Sequence, residues 1–369
     1  MNDKVRLIAF YLPQFHPVPE NDEWWGKGFT EWTNVAKAKP LFKGHHQPNL
    51  PGELGFYDLR VPEVREQQAA LAKEYGIEGF MYWHYWFAGK RILERPFKEV
   101  LESRKPDFPF CLSWANETWS GIWHGAKDRI LIEQTYPGEK DYEAHFYAVL
   151  DALKDPRYIK VDEKPLFCIY SPLNIPDVSH FISIWQNLSK KEGLNGIYFV
   201  GFTGYLENDY QKLIDAGFDG VHFQRITEAN EFIIRQHFFN RLRRKLYNMG
   251  IYNKYTTKGI LEYSEYIRKI TKPTDTIENT YPVVVPNWDN SPRSGRNSFI
   301  VKNSTPDLFR EHIKNVFCLL KNKSPEKRIV FIKSWNEWAE GNYLEPDSRF
   351  GRKYLEVLKD EINCFKVNE

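Results

Sequence analysis

Cysteine is scarce in this 369-residue chain. The four, Cys111, Cys168, Cys318 and Cys364, lie too far apart for a disulfide framework or a C-x-x-C metal site, and three fall within apolar runs. Reduced, buried thiols of that kind fit a cytoplasmic protein. A surplus of one charge is missing too. Lys plus Arg number 51 and Asp plus Glu 49, a formal net charge of +2, so nothing global draws the chain to nucleic acid or to an anionic membrane. No run of about 18 apolar residues is present to form a transmembrane segment. Met1 to Phe10 passes through Asn-Asp-Lys straight into an apolar strand, with no signal peptide, and the expected location is the cytoplasm.

Cofactor signals are equally sparse. His45 and His46 are adjacent and no H-E-x-x-H or comparable spacing occurs, so neither a metal nor another cofactor is expected. No G-x-G-x-x-G follows any apolar run, which excludes a signalled dinucleotide crevice. No Asp-x-Asp occurs either, so the metal-diphosphate site of one large transferase class is missing. What the chain has in quantity is aromatic side chains: 12 Trp, 21 Tyr and 26 Phe. A core absorbs Phe, whereas Trp and Tyr carry polar handles and suit a flat apolar face that meets a partly polar ligand such as a sugar.

Eight short apolar runs, most followed by a stretch with apolar residues three and four apart, predict alternating strands and helices. The runs are Leu7 to Leu12, Gly79 to Trp83, Phe110 to Trp114, Leu166 to Tyr170, Tyr198 to Phe202, Gly220 to Phe223, Val283 to Pro286 and Ile329 to Trp335. They are continuous, as strands of a parallel sheet covered by helices are. Between the first two runs, Val64, Leu71 and Tyr75 predict a helix over Val61 to Tyr75, with Pro62 in its first turn and Gly76 at its stop. Leu355, Leu358, Ile362 and Phe365 predict a closing amphipathic helix. Eight such units in one α/β chain point to a (β/α)8 TIM barrel with long βα loops, read as one catalytic domain over 1–369. One long insertion, Pro13 to Leu59, separates the first two strands. A second, 227–280, lies between strands six and seven. Within it Arg235, Arg241, Arg243, Arg244, Lys245, Lys254 and Lys258 stand with no acidic residue among them, a local charge of +7. A solvated helix face accounts for that, and so does docking to an anionic glycan, partner or membrane surface.

In such a barrel the site lies at the C-terminal ends of the strands. Residues there are Tyr11, Gln14 and His16 after strand one; Trp83, His84, Tyr85 and Trp86 at strand two; Trp114, Asn116, Glu117 and Trp119 at strand three. Asn287, Trp288 and Asp289 follow strand seven, and Trp335, Asn336, Glu337 and Glu340 follow strand eight. All are candidates to bind substrate, with Glu337 and Glu340 as the catalytic pair. Once the chain turns toward a helix, carboxylates three apart can face one space. In a Trp-lined pocket they repel and lose solvation, so one keeps its proton near neutral pH while the other ionises, the acid and base that glycosidic cleavage needs. The plainer alternative is that they cap backbone amides or pair with Arg349 or Arg352. Glu117 is the runner-up carboxylate. His16 and His84 are candidate donors to sugar hydroxyls, and Trp24, Trp25, Trp32, Trp83, Trp86 and Trp119 candidate stacking platforms, with packing the alternative for each.

Several longer stretches carry a resemblance. Ile8-Ala9-Phe10-Tyr11-Leu12-Pro13-Gln14-Phe15-His16-Pro17, Asn21 through Trp32, Trp114-Ala115-Asn116-Glu117, and Trp335 through Asp347 resemble the WbsX family. That family is labelled glycosyltransferase from its place in polysaccharide gene clusters and is similar to glycoside hydrolase family 99, the endo-α-mannosidases and endo-mannanases. The likeness implies a retaining mechanism without a carboxylate nucleophile. Glu337 would act as base on the substrate's own 2-hydroxyl, which displaces the leaving group through a 1,2-anhydro sugar, and Glu340 would protonate the departing oxygen. One stretch departs from the family. Thr118-Trp119-Ser120-Gly121-Ile122-Trp123-His124-Gly125 stands where an Arg and an Asp are usual. The expected function is hydrolysis of a bacterial polysaccharide or O-antigen, endo-acting, with manno-configured sugars as candidates and an oligo- or polysaccharide as partner. Glycosyl transfer in lipopolysaccharide or other cell-surface polysaccharide assembly is the alternative, and a catalytically silent sugar-binding barrel the third.

Overall fold

The computed structural model describes residues 4–120, 130–204, 206–225 and 259–366, with 242, 245, 246 and 249 between them. The apolar runs pair as a parallel ladder: β1 (Arg6–Tyr11), β2 (Gly79–His84), β3 (Phe110–Trp114), β4 (Lys164–Ile169), β5 (Tyr198–Thr203), β6 (Gly220–Phe223), β7 in two halves (Thr280–Tyr281 and Val283–Val284) and β8 (Ile329–Ile332). The first half of β7 pairs with β6 through Val221 and Thr280, and the second with β8 through Val283 and Phe331. β8 returns to β1 through Ile329 and Arg6. Only Pro282 separates the halves. It has no N–H to give a ladder, although its carbonyl accepts from Phe331 at 3.0 Å. The nine parallel stretches therefore close as the eight strands of a TIM barrel.

Two strand boundaries differ from the sequence pattern by three residues, the start of β7 and the end of β8. The first half of β7 precedes Val283, because Thr280 and a proline interrupt the apolar run. β8 stops at Ile332, where the chain leaves the ladder for the segment that carries Glu337.

Helices in chain order are α1 (Pro19–Trp25), α2 (Glu31–Lys37), α3 (Pro62–Glu74), α4 (Arg95–Ser103), α5 (Glu139–Lys154), α6 (Val178–Lys191), α7 (Leu206–Asp215), α8 (Tyr263–Ile270), α9 (Ser291–Ser294), α10 (Pro306–Cys318) and α11 (Lys353–Cys364). α3 to α7, α10 and α11 lie between or after barrel strands, as a parallel sheet buried on its outer face requires. α3 starts with Pro62, whose missing N–H costs a first turn nothing. Its buried face includes two polar residues, Arg65 and Gln68. Arg65 pairs with Glu99 at 2.8 Å, and Gln68 Nε2 donates to Glu345 at 2.6 Å. On α11 the buried Glu361 is held by Arg310 at 2.7 Å.

The barrel interior is where many aromatics go. Phe10 stacks with Phe202 at 5.7 Å between centroids, and Phe331 meets His222 edge-on at 4.8 Å. Trp83 closes over Phe10 at 5.2 Å. These rings form a dry floor beneath the strand ends. Beside the barrel, Gly259–Glu262, Phe299–Lys302 and Trp288–Asp289 make a small sheet, packed with α8 into a second apolar cluster around Tyr263, Tyr266 and Val301. Among the described residues no helix is long and apolar enough to cross a membrane. Of the basic stretch 235–258, all but positions 242, 245, 246 and 249 lies outside the described residues.

Candidate active site

After β8 the chain makes a small hairpin. Asn336–Glu337 pairs antiparallel with Asn342–Tyr343, and the turn between them is a single 3-10 turn, Trp338–Glu340. The sequence pattern predicts a helix entrance here; the observed turn still puts Glu337 and Glu340 on the same side. Six contacts, made by four residues, fix it. Asn336 accepts from Leu12 N–H at 2.7 Å and donates back to Leu12 carbonyl at 3.1 Å. Trp338 stacks on Tyr343 at 3.8 Å and donates its indole N–H to Glu345 at 2.6 Å. The Ala339 N–H donates to Glu31 at 2.9 Å. Ser334 Oγ donates to Glu337 at 3.1 Å.

Gly341 ends the turn at φ +53°, and a Cβ there would lie 2.6 Å from the Asp289 carbonyl oxygen. Asp289 is fixed by His45 Nε2 at 2.7 Å and Gln47 Nε2 at 2.6 Å, so it has little room to yield. The His45 tautomer follows from its other nitrogen, which accepts from Leu41 N–H at 3.0 Å, leaving Nε2 to donate. Gly341→Ala is expected to cost about 2–4 kcal/mol, from left-handed strain plus a backbone clash. A thermal melt matching wild type would contradict this.

Glu337 and Glu340 line a cavity of about 220 Å³ at the C-terminal mouth of the barrel. One arginine organises its charge. Arg293, on α9, reaches Glu340 at 2.8 Å, Glu31 at 2.9 Å and Glu337 at 3.6 Å. Burial opposes the Arg293 charge, and the three carboxylates more than offset that, so its pKa is raised. Burial pushes Glu31 up, with Arg293 and the Ala339 N–H pulling it back. Glu337 is pushed up to about 7, first by burial and then by Glu340, against the pull of Arg293 and Lys333. Around Arg293 and Lys333, Glu31, Glu337 and Glu340 thus bring three carboxylates to two cations, and burial favours the protonated form of Glu337. The arrangement can give a proton and take one within the same cavity.

Of the residues the sequence singles out, Gln14, Trp83, Tyr85, Glu117, Trp119, Glu337 and Glu340 line this cavity. Alternation along a strand separates them from their neighbours. Trp83 and Tyr85 face the cavity, while His84 and Trp86 face α5. There His84 meets His145 at 2.8 Å, Trp86 stacks on the same imidazole at 4.9 Å, and its indole donates to Asp141 at 3.1 Å. Burial pushes His84 down to about 3, so this pair is neutral. Likewise Glu117 faces in, accepting from Ser171 Oγ at 2.8 Å, whereas Asn116 turns aside to hold the Ser171 backbone at 2.8 Å.

The other predicted residues serve the scaffold. Tyr11 donates to Gln68 at 2.7 Å, His16 Nδ1 lies 3.1 Å from the Pro13 carbonyl, and Trp114 donates to the Trp86 carbonyl at 3.2 Å. Asn287 accepts from Tyr343 N–H at 3.0 Å, Asp289 holds His45 and Gln47, and Trp335 and Asn336 are fully buried. Trp288 lies under the Lys333 ammonium at 5.1 Å. Among the tryptophans read as stacking candidates, Trp25 lines the cavity, Trp24 rests against Trp119 at 5.7 Å and Trp32 packs on Trp338 at 5.5 Å. Neither Arg349 nor Arg352 clamps the pair: Arg352 binds Glu53 at 2.6 Å and Arg349 lies over Phe350 at 4.7 Å.

Residues not singled out by charge or spacing complete the wall, chiefly Glu31, Arg293, Lys333, Asn34 and Tyr170. Glu31 stands within the second family-like stretch, which is the one signal that could have found it. Among the described residues no group of three His, Cys, Asp or Glu could hold a metal ion. Of the stretch 118–125, where the family-like pattern departs, residues 121–125 lie outside the described residues.

Comparison with known proteins gives matches by structure and by sequence. By structure, the chain is similar to the GH99 endo-alpha-mannosidase of Bacteroides thetaiotaomicron, with a TM-score of 0.61, 16% identity, and coverage of 99% of this chain and 98% of that one. It is also similar to a solved glycoside hydrolase-like protein, with a TM-score of 0.61, 15% identity, and coverage of 100% and 95%. At such identities the likeness is one of fold. By sequence, it is 38% identical over 358 residues to Uncharacterized protein WxcX of Xanthomonas campestris pv. campestris, and 37% identical to the same protein of a second strain. The match takes in 96% of this chain and 49% of WxcX, so the chain spans about half the length of the curated relatives it matches. The glycosyltransferase WbsX family matches residues 7–358, and the chain belongs to that family.

Proposed function

We propose that the chain is a glycoside hydrolase that cleaves a bacterial polysaccharide or O-antigen glycan, retaining configuration, with Glu337 and Glu340 as its acid/base pair. The observation that carries this reading is a carboxylate pushed up to about 7 beside a second one held on Arg293, in a cavity walled by Trp25, Trp83, Trp119 and Tyr85. A base works best when its pKa lies near the working pH, which suits Glu337 to act on a substrate hydroxyl. Glu340 then protonates the leaving oxygen, once substrate has drawn it away from Arg293 and the proton has moved to it from Glu337. Because both carboxylates approach one guanidinium nitrogen, at 2.8 and 3.6 Å, their facing oxygens are nearer than the roughly 6.5–9.5 Å separation of inverting pairs, which supports retention. The fold likeness to an endo-alpha-mannosidase makes manno-configured polymers the first substrates to try.

The family's description favours a second reading, glycosyl transfer, and one assay separates the two. The protein is incubated with manno- and rhamno-configured bacterial polysaccharides without nucleotide sugar, and chain length is followed by size exclusion. Shortening of a polymer is the expected result. Turnover that appears only when a nucleotide-sugar donor is added would overturn hydrolysis in favour of transfer.

A further inference from the structure

Of the two cations in the cavity, Arg293 is fully engaged and Lys333 is not. Its residue is 6% exposed, it follows β8 directly, and it lines the cavity next to the catalytic turn. Below the ammonium lies the Trp288 ring at 5.1 Å. Among the described residues its side chain has no hydrogen-bond or ion-pair partner. Glu337 feels its charge, yet the two are not in ion-pair contact; the guanidinium that Glu337 touches is Arg293, at 3.6 Å.

The residue is buried but its ammonium opens on the cavity, where its three N–H donors are available to water or to a ligand. The Glu337 carboxylate, which feels that charge, accepts a hydrogen bond among the described residues from Ser334 Oγ alone and has acceptor capacity to spare. A group that accepts from the first and donates to the second fits the gap between them. A neutral hydroxyl does both at once, whereas an anionic substituent would bring a further negative charge against Glu337, Glu340 and Glu31.

We propose that Lys333 is a third catalytic residue of the site, donating through its ammonium to the same sugar hydroxyl from which Glu337 takes the proton. The proposal rests on the hydrolase reading. In the step itself, the proton favoured on Glu337 in the free site has first moved to Glu340, and the hydroxyl's proton then passes to the ionised Glu337. Its oxygen pair forms the new bond to the anomeric carbon, and the bond to the leaving oxygen breaks as Glu340 protonates it. Negative charge grows on the attacking oxygen on the way, and Lys333 meets it there, as a preorganised donor should. The substrate class this selects is a polymer whose cleaved sugar offers a free, neutral hydroxyl beside the anomeric carbon.

Lys333→Met and Lys333→Arg are compared with wild type on a polysaccharide that wild type cleaves, with melting temperatures as a control for folding. The expected result for Lys333→Met is a loss of kcat of about 10²-fold or more, with KM changed far less. The ascending limb of its pH–rate profile moves to higher pH, because a cation that favours the Glu337 carboxylate is gone. Lys333→Arg keeps the limb near its wild-type position and recovers part of the rate. A Lys333→Met enzyme within threefold of wild type, with an unmoved limb, overturns the proposal. So does a loss confined to KM and to acidic polymers, which would make Lys333 the seat of an anionic substituent. Should wild type cleave no polymer at all, the hydrolase reading fails and takes this inference with it.

Discussion

The Glu337→Gln variant is expected to lose polysaccharide cleavage by about 10²-fold or more and, at pH 8, to melt at a higher temperature than wild type. The second half follows from linkage. Glu337 has its pKa pushed from 4.5 to about 7 by burial and by Glu340. Between those values the native state holds a proton that the unfolded chain has released. Stability therefore falls as pH rises through this window, and the cost is complete above it. At 1.36 kcal/mol per unit the penalty is on the order of 1–3 kcal/mol, less whatever the coupled pair shares. Glutamine has no proton to release, so the gain should be present at pH 8 and nearly absent at pH 4.5. Equal changes in melting temperature at the two pH values would rule this out. Glu345, a second buried carboxylate pushed up to about 7, adds to the same slope in wild type and in the variant alike, so the difference between them isolates Glu337.

The second large effect separates the two roles. Glu340→Gln should lose about 10²-fold or more on the polymer but recover much of that on a glycosyl fluoride or dinitrophenyl glycoside of the same sugar, whose leaving group needs no proton. Glu337→Gln should stay slow on both, because the hydroxyl must still be deprotonated. The experiment has force because the free protein leans the other way. Burial favours the proton on Glu337, and Glu340 sits on Arg293 at 2.8 Å. If Glu337→Gln were the variant rescued, the proton donor would be Glu337 and the roles would exchange.

How much of this was legible beforehand depends on whether the signal is local. Seven strands stand out because a buried parallel strand is a continuous apolar run, and β7 is half hidden because Pro282 and Thr280 break the run. Glu337 and Glu340 could be read as a pair because three residues of one turn separate them. Arg293 and Lys333 could not, since no motif or spacing ties either to the two glutamates, and only the folded barrel turns these two inward. The rim residues show the subtler failure. His84, Trp86 and Asn116 are polar or aromatic and stand at strand ends, as Trp83, Tyr85 and Glu117 do, but side-chain alternation sends them to α5 and to the Ser171 loop. Position along the chain told which residues reach the rim, and parity told which of them face the cavity.

The two bonds between Asn336 and the Leu12 backbone join residues 324 apart in sequence. Since that amide anchors the hairpin bearing both glutamates, the glutamates come into register only when the first and last barrel strands have met. On the proposed reading, a nascent chain still lacking its eighth strand would be inert, and the onset of turnover would serve as a clock for barrel closure.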